Sequence, residues 1–280
     1  METVLELDDL AARDGAGAVL PEDSLVFVGN ATVLLRLGGL TVLTDPTFVH
    51  RHEKVSIGYG MHTTRLTDPA MDIADLPPLD FVLLSHFHGD HFDQVAERDL
   101  DHDLPIVTTA QAAAELGERG FARTVALDTW DTVAVRRGGR TLRVTATPAR
   151  HGPGVTDLAL PDVNGSVLET DGADGPVRRV WISGDTLVHD ALAEIPRRHP
   201  DLDLGLVHLG GTRVLGLLVT MDAEQGVEAV RTVDPRAVVP VHYDDYDVFT
   251  SGLEDFLAAA EVAGLRGRVH PVPRGGSYRL

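Results

Sequence analysis

The stretch His86-Phe87-His88-Gly89-Asp90-His91 places three imidazoles and one carboxylate within six residues. The apolar run Phe81-Val82-Leu83-Leu84 precedes it and predicts a buried strand. The first two histidines are two residues apart, so in an extended segment their rings lie on one side and can share a metal ion. The glycine allows a turn, after which Asp90 and His91 can face a second metal ion. This stretch predicts a site for chemistry at the end of a strand.

The composition limits which atoms can hold a metal. The chain has 280 residues, of which 43% are hydrophobic, as is ordinary for a globular protein with a large core. It has no cysteine, which excludes disulfides, thiolate nucleophiles and cysteine-bound zinc. Any metal must therefore be bound through nitrogen and oxygen, for which the chain offers 13 His and 43 Asp plus Glu.

The charge and the hydropathy pattern narrow the possible partners. A formal net charge of −19 repels phosphate backbones and argues against nucleic acid as a partner. The N-terminal residues have no basic region followed by an apolar one, as a secretory signal would, and no apolar run is long enough to span a membrane. We expect a cytoplasmic protein that acts on a small-molecule substrate and does not insert stably into a membrane. The sequence is compatible with either a monomer or a homo-oligomer.

Hydrophobic periodicity predicts strand pairs early in the chain and strand–helix alternation later. The predicted strands are 24–28, 32–37, 40–44, 80–85, 106–108, 131–136, 140–147, 164–170, 177–183, 203–209, 237–241 and a short one near 268–272. The predicted helices are 110–116, 187–196, 222–232, 252–263 and one that starts near Phe92. This order predicts an α/β fold in which two mixed sheets pack face to face with helices outside.

Two irregular segments have the composition of loops that shape a pocket. Residues 46–79 are rich in proline and glycine and have little periodicity, and a loop of this length in a compact domain is usually functional. Residues 210–221 contain three glycines around an apolar run, which disfavours a regular strand. Leu215 and Leu217 in that run are predicted to form an apolar wall for part of the substrate.

Further candidate ligands follow three other predicted strands. His151 comes after strand 140–147, Asp185 after the run that ends at Ser183, and His242 directly after strand 237–241. Loops at strand ends, held by a rigid scaffold, are where sites are commonly built. An alternative function for Asp185 or Thr186 is to cap the helix predicted at 187–196.

At this point the residues resemble the metallo-β-lactamase superfamily, whose hallmarks are His-x-His-x-Asp-His, a downstream His, a Gly-Asp pair and a terminal His. The resemblance covers nearly the whole chain and implies a four-layer αβ/βα sandwich forming a single domain over 1–280, with halves of roughly 1–160 and 161–280. It also implies how the ligands divide. One metal would be bound by His86, His88 and His151, the other by Asp90, His91 and His242, and Asp185 would bridge the two.

Other motifs resemble the branch of ascorbate-6-phosphate lactonase and N-acyl-phosphatidylethanolamine phospholipase D. They include Gly29-Asn30-Ala31-Thr32, Leu43-Thr44-Asp45-Pro46 and Met221-Asp222-Ala223-Glu224. One position departs from the pattern, because Asn30 stands where relatives commonly have His. The membrane-binding features of the phospholipase are not evident in this sequence.

The resemblance implies a dinuclear hydrolase with two divalent ions; we expect Zn²⁺, with Mn²⁺ or Fe²⁺ as alternatives. A metal-bridging hydroxide would attack a phosphodiester, lactone, ester or amide of a small, partly apolar substrate. Asp90 would orient the hydroxide and accept a proton. Tyr243 would either donate a hydrogen bond to the oxyanion or pack at the rim. Arg150 would bind an anionic group or lie at the surface, and Asp45 would support a ligand or form a turn with Pro46. Thr186 would support the ligands.

Two other functions are compatible with the same residues. One is a mononuclear iron oxidoreductase of the persulfide dioxygenase type, whose histidine motif looks the same. The other is a non-catalytic metal-binding protein, against which the complete ligand set argues. His208 is predicted to be a core or rim histidine, since the metal positions are already filled.

Overall fold

The computed structural model describes residues 3–7, 17, 19–58, 60–154, 160–173 and 175–280. Parts of the N-terminal stretch, Tyr59 of the predicted loop 46–79 and Asp174 of the predicted turn before strand 177–183 lie outside these ranges. In the described part of the chain, no helix is long and apolar enough to cross a membrane.

Eighteen strands and five α-helices are described. The strands are β1 (Thr3–Glu6), β2 (Ser24–Gly29), β3 (Thr32–Leu37), β4 (Leu40–Thr44), β5 (Lys54–Ser56), β6 (His62–Thr64), β7 (Phe81–Leu83), β8 (Ile106–Thr108), β9 (Thr124–Ala126), β10 (Thr132–Arg137), β11 (Arg140–Thr147), β12 (Gly165–Thr170), β13 (Arg179–Ile182), β14 (Leu204–His208), β15 (Arg213–Val214), β16 (Leu217–Leu218), β17 (Ala237–Val241) and β18 (Ser277–Arg279). The helices are α1 (Gln94–Asp99), α2 (Ala110–Glu118), α3 (Ile195–Arg198), α4 (Ala223–Val233) and α5 (Leu253–Val262).

Two seven-stranded sheets form the centre of the fold. The first sheet has the order β18-β2-β3-β4-β7-β8-β9, and the second has the order β1-β10-β11-β12-β13-β14-β17. Both are mixed: β4, β7, β8 and β9 are mutually parallel, as are β13, β14 and β17, while the other strands pair antiparallel except β1, which is parallel to β10. The predicted α/β architecture of two mixed sheets is confirmed.

Alternation along the strands explains the layers. In β2, Leu25 and Phe27 belong to the core between the sheets, which also contains Trp181 of the second sheet. The intervening Val26 and Val28 belong to a second core with residues of α1 and α2. Because successive side chains of a strand point to opposite faces, one apolar strand can serve both cores. Helices α4 and α5 pack outside the second sheet, which gives four layers.

Most predicted elements are observed within a few residues, but two are not. The helix predicted at 187–196 is a 3-10 turn at Asp190–Glu194 followed by the short α3. The backbone N–H of Leu187 donates instead to the carbonyl of Arg150 at 2.8 Å, and that of Val188 to Gln225 Oε1 at 3.0 Å. The strand predicted near 268–272 is reduced to one bridge at Val269, while β18 supplies the edge strand.

The segment 46–79 is more ordered than predicted. It forms the β5–β6 hairpin and is fastened to the chain after β17 by an ion pair between Arg65 Nη2 and Asp245 Oδ1 at 3.0 Å. Both side chains are fully buried. Asp245 also accepts hydrogen bonds from the Asn30 backbone N–H at 2.7 Å and from Thr67 Oγ1 at 2.6 Å. This ion pair therefore connects three loops.

We predict that Asp245→Asn lowers the free energy of unfolding by about 3–5 kcal/mol, because it leaves the Arg65 guanidinium buried without a counter-charge. The neighbouring Asp244→Asn is the matched control, since its half-exposed carboxylate pairs with Arg274 at the surface and contributes about 1 kcal/mol or less. Urea denaturation of both variants measures the difference. Equal losses of stability in the two variants would show that the buried ion pair contributes no more than the surface pair does.

Candidate metal centre

Strand ends carry the predicted ligands to one edge of the two sheets. His86 follows β7 of the first sheet, whereas His151, Asp185 and His242 follow β11, β13 and β17 of the second. The last three strands run in one direction, since β11 and β13 are both antiparallel to β12 and β17 is parallel through β14. Their carboxyl ends therefore meet at the same edge.

The structure brings all seven predicted ligands together. They fall into groups whose donor atoms lie within 4.8 Å of one another: His86, His88 and His151; Asp90, His91 and His242; and His86, His91 and Asp185. The first two groups are those predicted for the two metals. Asp185 lies between them, with Oδ2 at 3.4 Å from His91 Nε2 and Oδ1 at 3.6 Å from His242 Nδ1.

Four of the five histidines have their Nδ1 atom fixed by an oxygen from outside the group. The partners are the Ser85 hydroxyl for His86 (3.0 Å), Asp45 Oδ2 for His91 (3.3 Å), the Val219 carbonyl for His151 (3.0 Å) and the Leu209 carbonyl for His242 (3.0 Å). Such contacts set the orientation of a ring and leave Nε2 for a metal. His88 differs, because its Nδ1 is the atom near His86 Nε2, at 3.1 Å.

The three histidines of the first group are held neutral. Burial lowers the pKa of His86 well below its usual value, and the neighbouring His91 lowers it further. Burial and the nearby His151 lower the pKa of His88 to about 4, and burial also lowers the pKa of His151. Neutral imidazole is the form that binds a metal, so this environment favours binding over protonation.

The carboxylates at the site are held ionised. Burial alone would raise the pKa of Asp185, but His242 and His91 lower it well below its usual range. Asp90 shows the same balance, with His242 as the main opposing partner. Conversely, burial would lower the pKa values of His91 and His242, but Asp185 raises both. The buried carboxylates thus attract positive charge, whether a proton or a metal ion.

Several buried atoms that can bind a metal ion have no hydrogen-bond partner. They are Asp90 Oδ1, Asp185 Oδ1, His91 Nε2 and His242 Nε2. Buried polar atoms are nearly always hydrogen-bonded, and a cluster of exceptions calls for an explanation. Coordination of divalent ions satisfies these atoms, and nitrogen with carboxylate oxygen is a donor set that zinc accepts. The residues present therefore fit a metal.

A narrow cavity opens over these ligands. The space in it that is open to a water-sized molecule is about 20 Å³, and His88, Asp90, His151 and Asp185 are among the residues that line it. Both irregular segments of the sequence contribute walls, Ile57 and Met61 from 46–79 and Val214 and Val219 from 210–221. The β5–β6 hairpin closes onto the histidine motif, where the Gly89 N–H donates to the Ser56 carbonyl at 2.8 Å. A Cβ at Gly89 would lie 2.6 Å from that carbonyl oxygen, so the contact requires glycine.

Other predicted site residues lie elsewhere. Tyr243 is buried in the main core with its ring centroid 6.1 Å from that of Phe27, because His242 takes a φ of 61° and turns the chain. Arg150 is exposed and does not line the cavity. Leu215, at the tip of the β15–β16 hairpin, is 98% exposed, and Leu217 is also exposed. Among the described residues, Val214 and Val219 form the apolar wall that was expected of these leucines.

The two predicted supporting residues contact the ligands or their loops. Asp45 Oδ2 lies 3.3 Å from both His91 Nδ1 and His208 Nε2. Burial opposes ionisation of Asp45, but the two histidines lower its pKa to about 2. Thr186 caps no helix; its hydroxyl accepts a hydrogen bond from the Arg150 N–H at 2.8 Å and so fastens the loop before His151. His208 is fully buried, as predicted.

Three polar residues at the site were not found from the sequence. Thr220 Oγ1 donates to Asp185 Oδ2 at 2.9 Å, and Thr212 lines the cavity with a buried hydroxyl that has no hydrogen-bond partner. Asn30, fully buried, donates from Nδ2 to the Asp90 carbonyl. Threonine and asparagine occur in loops for many reasons, so the sequence contained no sign of the two threonines. Only Asn30 stood out, because relatives commonly have His at that position.

Curated relatives match most of the chain. A metal-dependent hydrolase of Natranaerobius thermophilus is 27% identical over 83% of this chain and 88% of its own length. An N-acyl-phosphatidylethanolamine-hydrolyzing phospholipase D of Caenorhabditis elegans is 25% identical over 80% of this chain and 65% of its own length. The second of these belongs to the branch that the sequence motifs resemble.

Solved structures share the fold. An isothiocyanate hydrolase from Delia radicum gut bacteria superposes with a TM-score of 0.76 at 19% identity, covering 92% of this chain and 98% of the other. The diiron β-hydroxylase CmlA of Streptomyces venezuelae gives a TM-score of 0.64 at 16% identity, covering 94% of this chain and 55% of the other. At these identities the likeness concerns the fold.

The domain family described as the beta-lactamase superfamily domain matches residues 41–243, which is more than half of the chain. The matched range contains all seven predicted ligands, from His86 to His242, and the supporting Asp45. The prediction of a metallo-β-lactamase-type hydrolase is confirmed at the level of the family. The chain belongs to the beta-lactamase superfamily.

Proposed function

We propose that this protein is a dinuclear metal-dependent hydrolase of small molecules. The observation that carries the proposal is the convergence of seven candidate ligands, several with unpartnered atoms, at one edge of the sheets, where four of them line a cavity. His86, His88 and His151 would hold one ion and Asp90, His91 and His242 the other, with Asp185 between them. Zinc is the ion we expect from these nitrogen and oxygen donors.

When bound, two divalent ions polarise the scissile group and lower the pKa of a water molecule towards neutrality. Asp90 is the residue placed to handle protons, because its carboxylate lines the cavity and one of its two oxygens would remain free of the metal. The oxygen of water forms the new bond to the electrophilic carbon or phosphorus, one of its protons passes to Asp90, and the leaving group departs with a proton returned from that carboxyl.

Asn30 and the anchored Nδ1 atoms act by fixing positions. The Asn30 amide holds the Asp90 carbonyl, and backbone or carboxylate oxygens hold the imidazoles of His91 and His242. A preorganised site avoids the cost of reorienting these groups during the reaction. Tyr243 has no part in this proposal, because its side chain lies in the core.

The bond that is cleaved can be an ester, lactone, amide or phosphodiester. Relatives and fold neighbours are named for different substrates, among them a phospholipase and an isothiocyanate hydrolase. A fold hosts many reactions, so the choice among them must come from the walls of the cavity.

We predict that His88→Ala and Asp185→Ala each lower the metal content of the purified protein by about one ion per chain, since each removes a donor that no neighbour replaces. Metal is measured by plasma mass spectrometry on protein whose folding is checked by circular dichroism. His270→Ala, at an exposed histidine outside the site, is the matched control and keeps the full content. Unchanged metal in both site variants would refute the ligand assignment.

We predict that the wild-type protein carries about two zinc or manganese ions per chain and that a chelator abolishes hydrolysis of a 4-nitrophenyl ester, with activity restored by the metal. The same measurement addresses the iron alternative. One iron per chain, with oxygen consumption when a persulfide is added, would favour the dioxygenase instead.

We predict that Asp45→Asn weakens metal affinity by about 10- to 100-fold, because the neutral amide fixes the orientation of the His91 ring less firmly than the carboxylate does. Competition with a chelating dye measures the affinity. Asp162→Asn, at an exposed aspartate, is the control. An affinity equal to that of the wild type would show that Asp45 supports the fold alone.

A further inference from the structure

The walls of the cavity are apolar from every side. Six hydrophobic side chains from four separate segments line it: Ile57, Met61, Leu160, Val214, Val219 and Val248. The titratable lining residues are His88, Asp90, His151 and Asp185, all of them proposed metal ligands. Among the described residues, no lysine or arginine lines the cavity.

Neighbouring cations are engaged elsewhere. Arg65 is buried in its ion pair with Asp245, and Arg213, next to the lining residue Thr212, has its guanidinium 3.7 Å from the Asp222 carboxylate. A second anionic group on a substrate would therefore find no cationic partner among the described residues that line the cavity.

One polar group remains in the walls. Thr212 lines the cavity and is 9% exposed, and its buried Oγ1 atom has no hydrogen-bond partner. A buried hydroxyl without a partner is costly, and a ligand atom that bonds to it recovers that cost. The hydroxyl can donate to a carbonyl or ether oxygen as well as accept a hydrogen bond.

We propose that the substrate is a small molecule whose part beyond the scissile group is uncharged and apolar, such as the short alkyl or acyl tail of a neutral ester, thioester or amide, with Thr212 bonding to its oxygen. The inference rests on the proposed hydrolase function and narrows it. It disfavours substrates that carry an anionic group beyond the scissile one, because burying a charge against these side chains without a partner is costly.

Binding tests the inference independently of turnover. Butyramide and succinamate have the same amide head, but the tail ends in a methyl group in the first and a carboxylate in the second. Equilibrium dialysis against the purified protein is expected to give about tenfold tighter binding of butyramide, because only its tail matches the walls. Absence of saturable butyramide binding, or succinamate binding as tight, would overturn the proposal.

Variants locate the effect. Val248→Asp is expected to weaken butyramide binding about tenfold, and Thr212→Val about fivefold through loss of one hydrogen bond. Val262→Asp, which makes the same change at a position that is 92% exposed on α5, leaves binding unchanged. Wild-type affinity in both cavity variants would also contradict the proposal.

Hydrolysis separates this inference from the function on which it rests. With 4-nitrophenyl acetate, propionate and butyrate, kcat/KM is expected to rise about fourfold for each added methylene. A metal-loaded protein that hydrolyses esters but binds succinamate more tightly than butyramide supports the hydrolase and refutes the apolar, uncharged substrate tail. A protein that binds no metal and shows no hydrolysis refutes the proposed hydrolase. Equilibrium dialysis would still test whether the cavity prefers the apolar tail of butyramide.

Discussion

The packing of two sheets whose strands end at a common edge is the constraint on which the site depends. Strands β7, β11, β13 and β17 deliver polar residues there, and close packing of the apolar faces behind them buries those residues. The carboxylates of Asp90 and Asp185 therefore lose their water and must be balanced by positive charge close by. The neighbouring imidazoles supply positive charge, as bound metal ions would. The packing that forms the core therefore also creates the conditions for metal binding.

The surroundings of the ligands give the site its rigidity. Carbonyl oxygens of Leu209 and Val219 and the carboxylate of Asp45 fix three rings, and the other nitrogen of each ring lies within 3.5 Å of another predicted ligand. Two hairpins complete the enclosure, one fastened by the buried Arg65–Asp245 pair and the other placing Val214 in the wall. The contacts that hold the loops in place thus also define the shape of the space offered to a substrate.

Sequence patterns identified most elements because their alternation and turn residues agree with the final packing. The sequence-based predictions failed where backbone groups form hydrogen bonds with residues far away in the chain. The pattern at 187–196 favours a helix, yet the N–H groups of Leu187 and Val188 are bound by Arg150 and Gln225. Likewise, Tyr243 stands beside a ligand in the sequence, but the left-handed backbone of His242 directs it into the core.

The sequence by itself determined the superfamily and the seven candidate ligands, because metal-binding side chains at fixed spacing after apolar strands form a local pattern. Only the tertiary structure decided which atoms of those ligands are free and which hydroxyls lie near them. It also decided that Val214, Val219 and Val248, rather than Leu215, Leu217 and Arg150, face the cavity. Those outcomes depend on contacts between segments far apart in the chain, which no local pattern contains.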